Sequence, residues 1–149
     1  MKLNKDFWKN KKVFLTGHTG FKGGWLSVLL NYLDANVLGY SLKAEQKSFF
    51  KQVGVDSLLK HQEEDIRDLE SLYKSERDFE PEILVHMAAQ PLVIESYKDP
   101  LNTFTTNTLG TVNILELIRK SPSIKSAVII TTDKCYENKN LYRGYQEDD

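Results

Sequence analysis

The chain has 149 residues, enough for one domain with a single core, and its 20 basic and 21 acidic residues give a formal net charge of −1. Balanced charge without a basic cluster excludes a generic nucleic-acid binder and a protein that adheres to anionic membranes. No apolar stretch approaches the ~18 residues that span a bilayer, and the basic N-terminus lacks the apolar core of a secretion signal, so the cytoplasm is the expected compartment. A single cysteine permits no internal disulfide and no multi-cysteine metal site, and no metal is expected.

Short apolar runs alternate with helical patterns along the chain. Such runs are typical of parallel strands covered on both faces, and they predict strands at 13–16, 36–40, 83–87 and 127–131, with a weaker strand near 61–64. Helices are predicted over 21–33, about 68–76 and about 100–119. Strand–helix alternation with right-handed crossovers predicts a doubly wound α/β domain with a parallel, Rossmann-like sheet that ends after about five strands.

The apolar residues of the predicted helices give two expectations about packing. Phe21 and Trp25 are expected to pack the first helix on the sheet. The last helix carries apolar residues at helical spacing, which predicts that one stripe of it is buried. This stripe consists of Phe104, Leu109, Val112, Leu115 and Ile118.

A glycine-rich segment, TGHTGFKGGW, lies directly between the first predicted strand and the first predicted helix. Gly17, Gly20 and Gly23 form a G-x-x-G-x-x-G pattern, which allows a tight turn, close approach of the backbone to a pyrophosphate and a helix N-terminus that faces the phosphates. The spacing alone also fits a turn that needs glycine only for its backbone geometry. Its place after the first strand favours a dinucleotide site, formed here by Gly17, Thr19, Gly20, Phe21, Lys22 and Gly23.

The end of the second strand lacks the acid that usually binds the ribose of NAD. Tyr40 and Ser41 stand there instead, and no arginine is present to bind a 2′-phosphate, although Lys43 is close by. The next acid is Asp65, which either accepts a hydrogen bond from the adenine amino group, with Ile66 beside it, or caps the following helix. Both roles for Asp65 remain open at this stage.

Five segments in chain order carry a family resemblance. They are GHTGFKGGW at 17–25, DIRD at 65–68, HMAAQPLV at 86–93, SYKDP at 96–100 with TNTLGT at 106–111, and TTDKCYEN at 131–138. Together they resemble the extended short-chain dehydrogenase/reductase enzymes that act on nucleotide sugars, and most narrowly the CDP-glucose 4,6-dehydratases. AAQPLV and TTDKCYEN separate the chain from the sugar epimerases. The dTDP-glucose dehydratases usually carry Asp-Glu where this chain has Asp133-Lys134.

The resemblance implies NAD as the cofactor and CDP-glucose as the substrate. In the family reaction hydride moves from C4 of the glucose to NAD, water leaves across C5–C6, and hydride returns to C6. The product is a 4-keto-6-deoxy sugar nucleotide of the kind used for lipopolysaccharide O-antigen. The resemblance places Ala88, Ala89 and Gln90 beside the central part of the cofactor, Asn107 behind the nicotinamide, and Thr131 in the same site.

Three consecutive residues after the fifth strand are implied to be catalytic. Thr132 would orient the C4 oxygen, and Asp133 would protonate the leaving C6 hydroxyl if its pKa is raised. Lys134 would take the C5 proton if its pKa is lowered. The alternative is that Asp133 and Lys134 form a solvated surface pair in a turn. Cys135 has no histidine near it in the sequence and is expected to pack rather than to react.

Family members complete the site with a Tyr-x-x-x-Lys pair on a helix after the fifth strand. Tyr136, Tyr142 and Tyr145 are not followed by lysine at that spacing. The chain is therefore expected to be an incomplete dinucleotide-binding domain over 1–149, without the C-terminal substrate-binding region and inactive alone. The family homodimer uses the long helix after the fourth strand and a helix that is missing here, so half of that interface is expected to be absent.

Three alternatives remain open from the sequence. The chain could be a stand-alone NAD-binding module with a regulatory role. It could be one half of a split enzyme that a separate chain completes. It could also belong to another nucleotide-sugar dehydratase or epimerase.

Overall fold

The computed structural model describes residues 3–132, 135–137, 139–140 and 142–148. Five strands form one parallel sheet: β1 (Lys12–Thr16), β2 (Asn36–Ser41), β3 (Lys60–Glu63), β4 (Ile83–His86) and β5 (Ser126–Ile129). Their order is β3-β2-β1-β4-β5. Each strand lies where the apolar runs predict it, with small shifts at the ends, and the predicted doubly wound α/β fold is confirmed.

The helices connect these strands in sequence. They are α1 (Lys5–Trp8), α2 (Phe21–Tyr32), α3 (Phe49–Val53), α4 (Leu69–Phe79), α5 (Val93–Lys98), α6 (Pro100–Phe104) and α7 (Gly110–Lys120). A 3-10 turn covers Val55–Ser57, and a π-helical turn, Thr105–Leu109, joins α6 to α7. α1, α3 and α5 are too short for a helical period to be detectable in the sequence. In the described part of the chain, no helix combines the length and the apolar character that crossing a membrane requires.

The sheet has a hydrophobic core on each face. Successive side chains of β1 point to opposite faces, so Phe14 enters one core while Val13 and Leu15 enter the other. The first core joins the sheet to α4 and α7 through Leu38, Tyr40, Leu72, Leu84, Ile114 and Leu117. The second joins it to α2 through Leu30, Val37, Ile83 and Val85. β1 is thereby covered on both faces, as a central parallel strand requires.

The prediction that the last helix buries this apolar stripe is wrong. Four of its members have 49% to 69% of their surface exposed: Phe104, Leu109, Val112 and Leu115. The residues that α7 buries are Gly110, Asn113, Ile114 and Leu117. The face that α7 buries includes Gly110 and Asn113, which an apolar pattern does not mark, so the pattern selected the neighbouring apolar face.

The expected packing of the first helix is also wrong. Phe21 and Trp25 are 68% and 54% exposed, and both rings rest on Phe49 instead of on the sheet. The Trp25 and Phe49 rings are stacked with centroids 4.8 Å apart. The buried face of α2 consists of Gly23, Gly24, Ser27 and Leu30, whose small side chains let the helix lie close to the chain beneath it.

Candidate functional site

A cavity of about 550 Å³ opens at the carboxyl ends of the strands. Residues at or just after the end of every strand line it: Gly17, Ser41, Glu64, Met87 and Ile130. The chain runs outward from β1 to β3 on one side and then crosses to β4 on the other, so the cavity lies at the topological switch point. Open α/β sheets bind their ligands at this position.

Twelve of the residues predicted for a dinucleotide site line this cavity: Gly17, Thr19, Gly20, Phe21, Lys22, Gly23, Ser41, Asp65, Ile66, Ala88, Ala89 and Thr131. Leu42, Glu64, Met87, Pro91, Thr106 and Ile130 also line it and were not predicted. The structure thus brings together segments that lie far apart in the sequence. Gln90 and Asn107 are not among the described residues that line the cavity.

The glycine loop is held in a conformation that only glycine fits at two of its positions. Gly17 has a φ of +77°, and a Cβ there would lie 2.6 Å from the backbone nitrogen of Ala88. A Cβ on Gly23 would collide with the carbonyl of Gly17. Gly20 differs, because the nearest atom to a Cβ there is the Gly17 oxygen at 3.3 Å. Glycine at 17 and 23 therefore serves the fold, whereas glycine at 20 keeps the backbone open to the cavity.

The N-terminus of α2 is open to an anion. Gly20 is the N-cap, and no side chain of the described residues caps it or places an acid in the first turn. The first N–H groups of a helix have no partner within the helix and carry the positive end of its dipole. With Lys22 beside them on the cavity wall, these groups form a site that suits a phosphate or diphosphate.

Thr19 connects the glycine loop to the end of β2. Its hydroxyl donates to the carbonyl of Leu42 at 3.2 Å and lies 2.8 Å from the hydroxyl of Ser41. Because the proton of Thr19 is committed to Leu42, Ser41 donates to Thr19 and keeps lone pairs for another donor. Ser41 can therefore accept a hydrogen bond at the edge of the cavity, but it brings no charge there.

The helix-capping role considered for Asp65 is wrong. The N-cap of α4 is Asp68, whose carboxylate accepts from the backbone N–H of Ser71 at 3.0 Å. Asp65 instead accepts from the backbone N–H of Arg67 at 2.9 Å and forms a forked ion pair with the guanidinium. These hydrogen bonds lower the pKa of Asp65. Its carboxylate therefore reaches the cavity with its charge already compensated by Arg67.

The loop after β4 is held by a hydrogen-bond network that the sequence analysis missed. The Thr16 hydroxyl accepts from the backbone N–H groups of Met87 and Ala88 at 3.1 and 3.2 Å, and it lies 2.7 Å from Nδ1 of His86. Its own proton therefore goes to Nδ1, which leaves the His86 proton on Nε2, 3.2 Å from the hydroxyl of Thr111. Burial lowers the pKa of His86 to about 4, so the imidazole is neutral near pH 7.

Asn107 fixes the same loop from behind. Its side-chain oxygen accepts from the backbone N–H of Gln90 at 2.7 Å, and its amide donates to the carbonyl of Gln90 at 2.9 Å. Asn107 lies in the π-helical turn, a feature frequent at functional sites, and its own carbonyl accepts from Thr111 at 2.7 Å. Gln90 and Asn107 thus position the wall that Ala88 and Ala89 present to the cavity.

A second histidine, His18, turns away from the cavity although it lies in the glycine loop. It is fully buried, with Nε2 2.7 Å from Nδ1 of His61 and its ring against Phe50. Gly39 makes room for it, because a Cβ there would touch the imidazole. Burial, and then the neighbouring His61, lower the pKa of His18 to about 4. The side chain of His18 is therefore part of the core.

The end of β5 is the least enclosed part of the site. Thr131 lines the cavity and is exposed, as is Thr132. Asp133 and Lys134 lie outside the described residues, so their predicted roles stay predictions. Cys135 is exposed, which contradicts the expectation that it packs. Within the described part of the chain, no group of three or more histidine, cysteine or acidic residues could hold a metal ion.

Comparison with known proteins identifies what the chain is similar to. The family model described as GDP-mannose 4,6 dehydratase matches residues 14–144. CDP-glucose 4,6-dehydratase of Salmonella typhimurium is 48% identical over 148 residues, which cover 99% of this chain and 41% of that protein. The chain therefore spans less than half the length of this curated relative.

Two solved structures share the architecture. UDP-glucose 4-epimerase of Stenotrophomonas maltophila, with bound NAD and formylated UDP-arabinopyranose, matches with a TM-score of 0.77 at 22% identity, over 89% of this chain and 40% of that one. UDP-glucose 4-epimerase of Thermus thermophilus, in complex with NAD, matches with a TM-score of 0.65 at 29% identity, over 75% of this chain and 35% of that one.

Proposed function

The chain belongs to the GDP-mannose 4,6-dehydratase family, and on this basis we propose that it is the cofactor-binding portion of an NAD-dependent nucleotide-sugar 4,6-dehydratase. The proposed reaction converts CDP-glucose to CDP-4-keto-6-deoxyglucose, the reaction named for the Salmonella relative at 48% identity. The product is a deoxysugar nucleotide of the kind used for lipopolysaccharide O-antigen. The proposed compartment is the cytoplasm, where NAD and nucleotide sugars are available.

One observation carries the cofactor part of this proposal. The glycine loop and the open N-terminus of α2 meet on the wall of a cavity at the topological switch point. The groups fit a dinucleotide in order along that wall: the first turn of α2 for the diphosphate, Ser41 for the adenosine ribose, and Asp65 with Ile66 for the adenine. Ala88 and Ala89 would contact its central part. When bound, NAD supplies the hydride acceptor and donor of the cycle.

The proposed acid–base chemistry lies at the end of β5. Thr132 would orient the C4 oxygen, Asp133 would protonate the leaving C6 hydroxyl, and Lys134 would take the C5 proton once C4 is a ketone. Water loss at C6 depends on that ketone, because only a carbonyl next to C5 makes its proton acidic enough to remove. Positioning of the sugar therefore precedes the chemistry of Asp133 and Lys134.

The second candidate function is a stand-alone NAD-binding module without catalysis. It is favoured by the exposure of Thr131 and Thr132 at the end of β5, where the catalytic residues are predicted. The two candidates differ in the residues encoded after residue 149, where a Tyr-x-x-x-Lys pair would support the dehydratase. A second polypeptide that carries the pair would support a split enzyme.

The cofactor assignment is tested by titrating the purified chain with NADH and NADPH and following nicotinamide fluorescence. We expect NADH to bind more tightly than NADPH. Gly20→Val should weaken NADH binding at least ~10-fold while the protein stays folded, because its side chain would occupy the phosphate site instead of clashing with the loop. Equal or tighter binding of NADPH would contradict the NAD assignment, and unchanged binding by the variant would contradict the location of the phosphates.

A further inference from the structure

We propose that Glu64 is the residue that makes this site select NAD over NADP, in place of the acid that is absent from the end of β2. The inference rests on the proposed function, because it concerns the ribose end of the same cavity. Glu64 was not among the predicted site residues. It follows β3 directly and lines the cavity together with Ser41 and Leu42.

The position of the ribose follows from the fold. In dinucleotide-binding sheets the group that contacts the 2′ position stands at the end of β2, about 20 residues after the glycine loop. Ser41 occupies that place here and ends β2. Its hydroxyl is held by Thr19 at 2.8 Å, so it can bond a 2′-hydroxyl but has no charge with which to reject a 2′-phosphate.

Glu64 is joined to that position through the backbone. Its N–H donates to the carbonyl of Ser41 at 3.0 Å, which extends the ladder between β2 and β3 by one residue. The backbone of Glu64 is thereby fixed beside β2, and the residue lines the cavity together with Ser41 and Leu42. A charge one strand away can act on a 2′-phosphate without touching the 2′-hydroxyl of NAD.

The other charges at this end do not oppose Glu64. The charge of Asp65 is compensated by the forked pair with Arg67. Lys43 is not among the described residues that line the cavity, and the one cation among them is Lys22, at the N-terminus of α2. No ion pair of Glu64 occurs within the described part of the chain. A phosphate on the ribose would therefore meet an uncompensated carboxylate.

The pKa of the neighbouring Tyr40 responds to the carboxylates at this end of the cavity. Burial raises the pKa of Tyr40 to about 12, and the charges of Glu64, Asp68 and Asp65 add to the increase. The hydroxyl of Tyr40 donates to the backbone carbonyl of Asp65, next to Glu64. A carboxylate at this junction of β2 and β3 disfavours the two extra negative charges of NADP relative to NAD.

The test compares Glu64→Gln with Glu63→Gln in titrations of NADH and NADPH. Glu63 is the preceding acid on β3, its carboxylate lies 3.5 Å from Nε2 of His61, and it does not line the cavity, so the control removes the same formal charge one residue away. E64Q should reduce the preference for NADH about 10-fold, mainly through tighter NADPH binding, with the dissociation constant of NADH nearly unchanged. E63Q should leave the preference as it is.

Salt provides a second measurement that needs no variant. Raising the salt concentration from about 0.05 M to about 0.5 M should shrink the wild-type preference for NADH, because it screens repulsion between exposed charges. A preference that E64Q leaves unchanged, or that both variants shift equally, overturns the role of Glu64 while NAD binding stands. If E64Q does not fold, a wild-type preference that is independent of salt overturns it. Binding of neither dinucleotide overturns the proposed function and this inference together.

Discussion

The carboxyl ends of β1 and β5 contribute to the same cavity but are built in different ways. Val13 in β1 is fully buried, whereas Val128 in β5 is 47% exposed, although both strands are runs of apolar residues. Thr16 at the end of β1 contacts three partners, and Thr131 after β5 is exposed. β1 lies between two strands and two cores, whereas β5 is one of the two edge strands among the described residues. An apolar run thus predicts that a strand forms. The strands and helices that pack against it determine how far the residues at its end are buried and hydrogen-bonded.

The substitution with the largest expected effect on stability is Gly17→Ala, just after the end of β1. The substitution combines a left-handed backbone conformation with a Cβ 2.6 Å from the nitrogen of Ala88, and neither the loop nor β4 can move without loss of contacts. We expect the free energy of unfolding to fall by about 3 kcal/mol or more. Urea denaturation followed by circular dichroism measures it.

Gly20→Ala is the matched control for that substitution. Its Cβ would meet only the Gly17 oxygen at 3.3 Å, so we expect a loss of less than about 1 kcal/mol. Equal destabilisation by the two variants would show that the loop is not fixed against β4 in the way described.

The next test exchanges one hydroxyl for a methyl group at the end of each strand. Thr16→Val leaves the N–H groups of Met87 and Ala88 and Nδ1 of His86 without their partner, all of them in a buried or partly buried place. We expect this variant to lose about 3 kcal/mol of unfolding free energy. Thr131→Val should lose less than about 0.5 kcal/mol, because Thr131 is exposed.

Thermal and urea unfolding of the two threonine variants decide this point. Thr16→Ser restores the hydroxyl and should recover most of the stability that Thr16→Val loses. A Thr16→Val variant as stable as the wild type would contradict the proposed network.

The third test is the dependence of stability on pH. The pKa of His86 is lowered to about 4 by burial, from an ordinary value of 6.5, so between these values the unfolded chain binds more protons than the folded one. Stability should therefore be constant above about pH 6.5 and fall as the pH is lowered toward 4, by about 1.4 kcal/mol per pH unit for this histidine. His18, with its pKa also near 4, adds a similar slope.

His86→Gln isolates the contribution of one histidine. Its unfolding free energy should depend less steeply on pH than that of the wild type between about pH 4.5 and pH 6. Parallel curves for the two proteins would mean that His86 is not buried as a neutral group.

The sequence predicts the sheet and the cavity well because both depend on patterns within short segments of the chain. Apolar runs set the strands, the glycine loop marks the first crossover, and twelve predicted residues meet at one cavity. The family resemblance is confirmed by the family model and by the 48% identical relative. The roles assigned to individual site residues stay predictions.

The errors arise where long-range contacts outweigh the local pattern. Trp25 was expected to pack α2 on the sheet, but the buried face of α2 is formed by Gly23, Gly24, Ser27 and Leu30, and Trp25 stacks on Phe49 instead. Thr16 and His86 are neighbours across β1 and β4 and far apart in the sequence, so their bond needs the strand order to be known first. Once the sheet order is assumed, polar residues at the ends of adjacent strands are the signal that would find such a pair.

The position of Asn107 in the site depends on the number of residues in the π-helical turn. Deleting Thr108, which lies between Asn107 and α7, would convert the turn to α-helix and rotate Asn107 and α6 by about 100° relative to α7. Asn107 could then keep its bonds to Gln90 only if α7 gave up its place in the core. A surface loop usually tolerates a deletion of one residue. Here the deletion would move Asn107 away from Gln90 and so alter the position of Ala88 and Ala89. Insertions and deletions in this helix are thus a route by which evolution can reshape the cavity without substituting any residue that lines it.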